Sequence, residues 1–260
     1  MKKRNEKILL LFLIFLLIAI NYPFLDNALE IFLTNYETGI VERVIDGDTA
    51  IINNESVRLL GINSPEKGEL YYNEAKEYLE ILILNTTVKL KKEKQDTDLY
   101  QRKLRYIIIG FTNINREIVK EGLANYYFPS GKDQYYNEFK QAWEECIESN
   151  KNLCEKSQDV CSNCIELKKL DYKDQEAILY NRCGFECNLK DWSIKDEGRK
   201  KFIFSKINLE PKTELLIKVG EGTNTKNVLF WRGEDYVWTE TGDSLFLRDE
   251  EGKLVLWKSY

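Results

Sequence analysis

The tetrapeptide Asp46-Gly47-Asp48-Thr49 combines residue types that can bind a metal ion. Two carboxylates separated by one glycine, at the junction of two predicted strands, can place oxygens around a hard cation such as Ca²⁺. The same residues also form ordinary turns, in which an aspartate accepts hydrogen bonds from nearby backbone N–H groups. The tetrapeptide therefore indicates metal binding only if other functional residues accompany it.

A second group of polar side chains surrounds the end of an apolar strand in "RLLGINSPE". The strand begins with Arg58, and the turn after it carries Asn63, Ser64 and Glu66. A glutamate that reaches a bound water can orient it and accept its proton. An exposed arginine followed by a proline turn would have the same sequence, so this stretch also needs support from other residues.

The third group lies in "DTDLYQRKLRY", after a predicted strand with a basic face. Tyr100 and Arg105 are candidate substrate contacts there, and Arg102 is a candidate phosphate ligand. Planar, permanently charged guanidinium groups match the geometry of phosphate oxygens. With a bound cation and a glutamate, two arginines can stabilise the charge that develops when water attacks phosphorus. Together the three groups predict phosphodiester hydrolysis.

The overall composition excludes several other kinds of active site. The chain has 260 residues and no histidine, which removes histidine general bases, Ser-His-Asp triads and histidine metal sites. Its net charge of −5 provides no overall attraction for nucleic acid, so phosphate binding requires a local arrangement of cations. The length suits one large domain or two ordinary ones.

The predicted elements place these residues at strand ends and turns. Apolar and alternating runs predict two strands in residues 38–52, then strands in "ESVRLLGI", "TVKLKKEKQD" and "RKLRYIIIG". Helices are predicted at Glu69–Leu84, in "REIVKEGLANYYF" with Gly122 as its C-cap, and at Tyr135–Asn150. Early strands followed by helices indicate an α+β fold with a small barrel.

Four linked motifs, "VIDGDTAII", "VRLLGINSPE", "DLYQRKLRYI" and "VKEGLANYY", resemble the staphylococcal nuclease (thermonuclease) family over residues 38–150. The resemblance implies an OB-fold, a five-stranded barrel with three helices. It also implies a Ca²⁺-dependent endonuclease that acts on DNA and RNA and leaves 3′-phosphate ends.

The same resemblance implies the metal ligands: Asp48, Asn63 and the backbone carbonyl of Ser64. Asn63 stands where the family has an aspartate. It keeps an oxygen ligand but loses a formal charge, so we expect weaker Ca²⁺ binding or a shifted metal preference rather than loss of activity.

The catalytic residues implied by the resemblance are Arg58 and Arg102, which bind and polarise the phosphate, and Glu66, the general base. Gln101 replaces the glycine that usually precedes the arginine of this motif. We expect this replacement to affect the direction of the turn that presents Arg102.

The N-terminus predicts a signal anchor or transmembrane segment in residues 1–26. Four cations precede thirteen uninterrupted apolar residues at positions 8–20, a length that also fits a cleaved signal peptide. In either case the rest of the chain would lie outside the cell, in the membrane-bound or the secreted form.

The six cysteines all fall within residues 146–187, and the first 145 residues have none. An even, clustered set in an exported chain predicts disulfides, whereas the spacing of the last four also resembles a four-thiolate zinc site. The cysteines are Cys146, Cys154, Cys161, Cys164, Cys183 and Cys187. The first two are close enough in sequence to pair with each other.

The second half, residues 160–260, consists of short alternating runs between turn signals and predicts an antiparallel β-sandwich. "NLKDWSIKDEGRKKFIF" and "GDSLFLRDEEGKLV" resemble a lamin-tail domain, which implies an all-β immunoglobulin-like sandwich. Its partner is open: DNA, a membrane surface or another protein. The alternatives to the endonuclease are a non-catalytic nucleic-acid-binding module and a surface adhesion or scaffold protein.

Overall fold

The structure is a computed structural model that describes residue 7, residues 10–19 and residues 36–260. Residues 10–19 form a helix, α1, whose side chains are exposed. Within these described residues, no helix is long and apolar enough to cross a membrane. Most of the predicted anchor, residues 1–26, lies outside the described residues, so the anchor stays a prediction.

The first half of the chain forms a barrel with three helices. Its strands are β1 Glu37–Asp46, β2 Thr49–Ile52, β3 Glu55–Leu59, β4 Ile62–Asn63, β5 Thr87–Lys91, β6 Lys103–Ile109, β7 Thr112–Asn113 and β8 Asn125–Tyr126. Its helices are α2 Tyr72–Ile83, α3 Ile114–Lys120 and α4 Tyr136–Ser149, followed by a 3-10 turn at Asn152–Cys154.

Five of these strands close into a ring. β3, β2, β1, β5 and β6 are hydrogen-bonded in that order, and β3 also pairs with β6. The β3–β6 pair is parallel, and the other four are antiparallel. β1 shifts register near Arg43 and Asp46, and such bulges bend a strand so that it can pair with two neighbours. The predicted five-stranded barrel with helices is thereby confirmed.

The helix predicted in "REIVKEGLANYYF" ends early in this stretch. α3 stops at Lys120, and Gly122 has a positive φ of 67°, as expected of a glycine that terminates a helix. Residues Asn125–Tyr126 instead form β8, which pairs with β4 through Ile62 and Asn63. Tertiary pairing therefore decides the conformation of "NYYF", which has no local signal strong enough to do so.

The C-terminal region, residues 161–260, is built from short strands. They are β9 Ile165–Asp171, β10 Glu176–Asn181, β11 Cys187–Asn188, β12 Ser193–Lys195, β13 Lys201–Ile203, β14 Asn208–Leu209, β15 Glu214–Val219, β16 Val228–Trp231, β17 Ser244–Arg248 and β18 Leu254–Ser259. They form two four-stranded sheets, β16-β15-β10-β9 and β13-β12-β17-β18, and a separate β11–β14 pair.

Both four-stranded sheets contribute to one apolar core, which contains Leu179 and Ile217 from the first and Ile194 and Leu247 from the second. Two features differ from the sequence-based prediction. β15 and β16 run parallel, so the sheets are not purely antiparallel. β10 was not predicted, because the turn before it contains no glycine or proline and is instead closed by Gln175 at a φ of 53°.

The six cysteines form three disulfides, which confirms the disulfide prediction over the zinc alternative. Cys146 is bonded to Cys154, Cys161 to Cys187 and Cys164 to Cys183, with Cα–Cα distances of 5.8, 5.6 and 5.2 Å. The first bond joins the end of α4 to the 3-10 turn. The other two are nested and tie the start of the C-terminal region to the segment before β12.

The sheet that contains β17 packs directly against the barrel. The ring of Phe246 lies 5.3 Å from that of Trp143, and the hydroxyl groups of Tyr126 and Ser244 are 2.6 Å apart. Since Tyr126 lies in β8, which pairs with β4, this contact brings the C-terminal region next to the strand end that carries Asn63.

Candidate active site

Asp48 connects the two motifs that were separate in the sequence. It lies in the turn between β1 and β2 and is only 4% exposed. Its Oδ2 lies 3.1 Å from Nη2 of Arg58 and accepts the backbone N–H of Ser64 at 2.8 Å. Its Oδ1 accepts the hydroxyl of Thr49 at 3.1 Å. The structure thus brings "DGDT" and "RLLGINSPE" together around one buried carboxylate.

Gly47 permits this close approach. A Cβ at this position would lie 2.6 Å from the Cβ of Ala75 in α2 and 2.8 Å from the Cβ of Ser64. Real Cβ atoms do not come so close, so a larger residue would push the turn away from both segments. Sequence reasoning recognised the glycine only as a turn residue.

Asp46 adds a second carboxylate beside Asp48 and accepts the backbone N–H of Asp48 at 3.0 Å. Burial and the neighbouring charge of Asp48 raise the pKa of Asp46 above its usual value. A bound cation would offset both causes, which makes this oxygen donor set suited to a hard divalent ion. In the described part of the chain, no group of three or more Asp, Glu, His or Cys side chains is arranged to hold a metal ion, so few charged ligands are present at this site.

Arg58 is held rigidly at the end of β3. Its Nη1 donates to the carbonyl of Leu59 and its Nη2 to the carbonyl of Ile62, each at 2.8 Å, in addition to the ion pair with Asp48. The side chain of Asn63 adds a longer contact of 3.4 Å between Oδ1 and Nη2. A guanidinium with this many fixed partners has lost its rotamer freedom before any substrate arrives.

Asn63 makes a contact that an aspartate could not make. Its Nδ2 donates to the backbone carbonyl of Gly198 at 2.8 Å, across 135 positions of sequence. A carboxylate has no N–H to donate and would face this carbonyl with a negative charge. The departure from the family pattern is therefore accompanied by a contact to the C-terminal region.

Arg102 is oriented by Asp98, which sequence reasoning did not single out although it begins the same motif. The two oxygens of Asp98 accept the backbone N–H and the Nε of Arg102, at 2.9 and 2.7 Å. Partial burial opposes the charge on Asp98, but these hydrogen bonds outweigh it, and the pKa of Asp98 lies below its usual value. Nη1 of Arg102 reaches the hydroxyl of Thr49 at 3.4 Å, which links it to Asp48.

The turn before Arg102 projects two apolar side chains into solvent. Leu99 is 94% and Tyr100 76% exposed, and the guanidinium of Arg102 lies 5.5 Å from the Tyr100 ring centre. Gln101 has a positive φ of 64°, a conformation that glycine adopts more readily. The turn thus keeps a left-handed residue at this position even though glycine is absent.

Glu66 lies on the coil between β4 and α2 and is half-exposed. Its Oε1 is 2.8 Å from Nε of Arg199, a residue of the C-terminal region for which no local sequence signal exists. Its backbone N–H donates to Glu69 at 2.9 Å. Burial opposes the charge of Glu69, but Lys195 and Lys201 outweigh it and hold the pKa of Glu69 below its usual value.

Arg105 does not join the other predicted site residues. It is 1% exposed, and its Nη2 pairs with Glu37 at 3.0 Å and with Asp96 at 2.8 Å. Its neighbours in β6, Leu104 and Tyr106, line the cleft described next, so strand alternation directs Arg105 to the opposite face. The structure therefore places Arg105 in the barrel wall, away from the residues that line the cleft.

A cleft of about 1140 Å³ runs past this group of residues. Arg58, Asn63, Tyr100 and Arg102 line one part of it. The loop between β12 and β13, residues 196–200, also contributes to the lining. The first and second halves of the chain therefore both contribute to its walls.

The comparisons with known proteins agree with this arrangement. The family model described as "Staphylococcal nuclease homologue" matches residues 56–156. The thermonuclease of Staphylococcus intermedius is 30% identical over 171 residues, which covers 60% of this chain and 100% of that protein. The chain belongs to the staphylococcal nuclease family. The thermonuclease of Staphylococcus hyicus is 32% identical over 129 residues, 46% of this chain and 76% of that protein.

Membership of the family identifies the chain as a thermonuclease-family nuclease, a phosphodiesterase whose substrate is nucleic acid. Members of this family use Ca²⁺. The three disulfides and the thermonuclease relatives indicate an extracellular or secreted protein.

Proposed function

We propose that this chain is a Ca²⁺-dependent endonuclease that hydrolyses phosphodiester bonds of DNA and RNA and leaves 3′-phosphate ends. The observation that carries the proposal is the ion pair between Asp48 and Arg58 at the wall of the cleft, with Arg102 joined to it through Thr49. This arrangement brings two guanidinium groups and a carboxylate that can bind a cation close together, and it needs no histidine.

The cation would be held by Asp46 and Asp48, supplemented by the amide oxygen of Asn63 and the carbonyl of Ser64. When bound, it supplies positive charge that stabilises the phosphate oxygens in the transition state. Asn63 contributes no formal charge, and this supports our expectation of weaker Ca²⁺ binding than an aspartate would provide.

Arg58 and Arg102 would bind the non-bridging oxygens of the scissile phosphate. Glu66 would accept a proton from a water as the water oxygen forms a bond to phosphorus. The bond from phosphorus to the 5′ oxygen then breaks, and that oxygen takes a proton from solvent. The products are a 5′-hydroxyl and a 3′-phosphate.

Tyr100 would contact the bases next to the cleaved bond, with Leu99 beside it. Both side chains are exposed at the tip of the turn that presents Arg102, and an aromatic ring can stack on any base. Because the other contacts are to phosphate, we expect little sequence specificity.

The predicted units 38–150 and 160–260 would then be a nuclease domain and a lamin-tail-like, immunoglobulin-like binding domain. Two separate apolar clusters support this division, although Phe246 and Leu254 of the second unit belong to the cluster of the first. We propose that the protein acts outside the cell, either anchored by residues 1–26 or secreted.

The test is digestion of single-stranded DNA and of RNA by the full chain, with Ca²⁺ or with EGTA. We expect cleavage only with Ca²⁺, and products that accept label at the 5′-hydroxyl without prior dephosphorylation. Glu66→Gln should lose at least a hundredfold in rate, whereas Glu77→Gln, which changes an exposed carboxylate of α2, should not. Binding of DNA without cleavage would instead support the non-catalytic alternative.

A further inference from the structure

The loop between β12 and β13 contacts the nuclease site at several points. The carbonyl of Gly198 accepts the amide N–H of Asn63, and Arg199 pairs with Glu66. On either side of this loop, Lys195 and Lys201 lie 3.5 and 3.7 Å from Glu69, which also holds the backbone N–H of Glu66. The segment that carries the proposed base is thus held by a distant part of the chain.

We propose that Arg199 is a positioning residue for Glu66, supplied to the nuclease site by the C-terminal region. This inference rests on the proposed role of Glu66 as general base. Glu66 lies on coil and its side chain is 50% exposed, so its carboxylate would otherwise sample many rotamers. The ion pair between Nε of Arg199 and Oε1 of Glu66, at 2.8 Å, restricts the positions that this carboxylate can take.

Several hydrogen bonds fix the loop between β12 and β13, which carries Arg199. Glu197 accepts the hydroxyl of Ser244 at 2.8 Å, and its backbone N–H donates to Asp243 at 3.3 Å. Asp196 accepts the backbone N–H of Lys200 at 3.0 Å, which closes the loop on itself. Since these partners lie at the start of β17, directly before it and in the loop itself, Arg199 projects from a fixed base.

Gly198 allows the loop to lie this close to the barrel. A Cβ there would lie 3.3 Å from the ring of Tyr127 and 3.2 Å from the carboxylate of Asp196. A side chain at this position would therefore require Tyr127 and Asp196 to shift by a few tenths of an ångström. The geometry also provides a reason for an asparagine at position 63, because only an amide can both donate to this carbonyl and keep an oxygen towards Arg58.

The test is a double-mutant cycle measured as kcat and KM on single-stranded DNA at saturating Ca²⁺. Arg199→Ala should lower kcat about tenfold, because misplacing a reacting group reduces the rate far more than it reduces binding. KM should change less than twofold, and Arg199→Lys should recover part of kcat. In the Glu66→Gln background, Arg199→Ala should cause no further loss, since both changes disable one unit.

Arg232→Ala is the matched control. Its side chain is 55% exposed, like that of Arg199, and it lies near a glutamate of the C-terminal region, but away from the cleft lining. We expect its kcat to equal that of the unmodified chain.

Three results would overturn the inference while leaving the proposed function intact: an unchanged kcat in Arg199→Ala, a rise in KM alone, or equal losses in the presence and absence of the Glu66 carboxylate. Full activity of Glu66→Gln would show that Glu66 is not the general base. It would also refute the proposal that Arg199 positions that base. Loss of one half-exposed ion pair should lower the melting temperature by no more than about 3 °C, and a shift within this limit separates a positioning effect from unfolding.

Discussion

A buried cluster of three carboxylates should make the folded chain less stable as the pH rises. Burial raises the pKa of Asp196 to about 7, of Glu197 to about 8 and of Asp243 to about 6, and repulsion by Asp243 adds to the first two shifts. In the unfolded chain these groups titrate near pH 4. Between these values the folded chain holds more protons than the unfolded chain, so its stability falls with increasing pH.

The expected loss can be worked from Asp196 alone. Its stability contribution is complete below its unfolded pKa and is lost as the pH rises through about 7. At about 1.4 kcal/mol per unit, the interval from pH 5 to 7 corresponds to roughly 3 kcal/mol. We therefore expect the free energy of unfolding to fall by roughly 3 kcal/mol between pH 5 and 9. The shift of Glu197 is not added, because part of it arises from repulsion among the same carboxylates.

The assay is urea unfolding at pH 5, 7 and 9. Few other groups of this chain should contribute to the pH dependence of the free energy of unfolding. There is no histidine, and all six cysteines are in disulfides, so few other side chains titrate in this interval. The neighbouring amines of Lys195 and Lys200 partly offset the rise in the pKa of Asp196, so they reduce the loss without reversing its sign.

Asp243→Asn removes one charge and keeps the acceptor, since the amide oxygen can accept the N–H groups of Ser244 and Glu197 that Asp243 binds at 2.8 and 3.3 Å. We expect about 1 kcal/mol less loss between pH 5 and 9. Asp249→Asn is the control, because Asp249 is also buried and also accepts two backbone N–H groups. Stability that is constant or rises with pH, or an equal effect of both variants, would refute the reasoning.

Three further predictions concern individual residues. Gln101→Gly should raise the free energy of unfolding by about 1 kcal/mol in urea titrations, because glycine adopts the positive φ at this position without strain. Asn63→Asp should bind Ca²⁺ more tightly in calorimetry and increase hydrogen exchange in residues 196–200, because the bond to Gly198 is lost; unchanged exchange would contradict the proposed coupling. Replacing Cys146 and Cys154 by serine should destabilise the chain by about 2.5 kcal/mol, the loop-closure entropy of a crosslink between residues 8 positions apart, measured by urea unfolding against the parent.

Local sequence patterns were sufficient for much of the barrel. The turn at Asp46–Thr49 and the helix end at Gly122 follow from residue types that favour those conformations wherever they occur. The turn before β10 could not be recognised, because Gln175 adopts a left-handed conformation that its residue type does not favour. β8 was missed for a different reason: its two residues become a strand only by pairing with β4.

The spacing of residues in one motif also did not reveal which of them are buried. Arg102 and Arg105 are three positions apart in one basic stretch, yet Arg102 lies at the cleft and Arg105 in the barrel wall with Glu37 and Asp96. Which face of a strand is covered depends on its neighbours in space. The choice between disulfides and zinc depended on the same information, because both are compatible with the cysteine spacing.

The sequence by itself determined that this chain carries the residue types of a histidine-free nuclease, because its motifs are local and each specifies its own strand end or turn. Only the tertiary structure decided how the motifs meet around Asp48, and that a loop from the C-terminal region reaches Asn63 and Glu66. The contacts of that loop join residues more than a hundred positions apart. They depend on how the β17 sheet packs against the barrel, and no pattern within one segment contains that information.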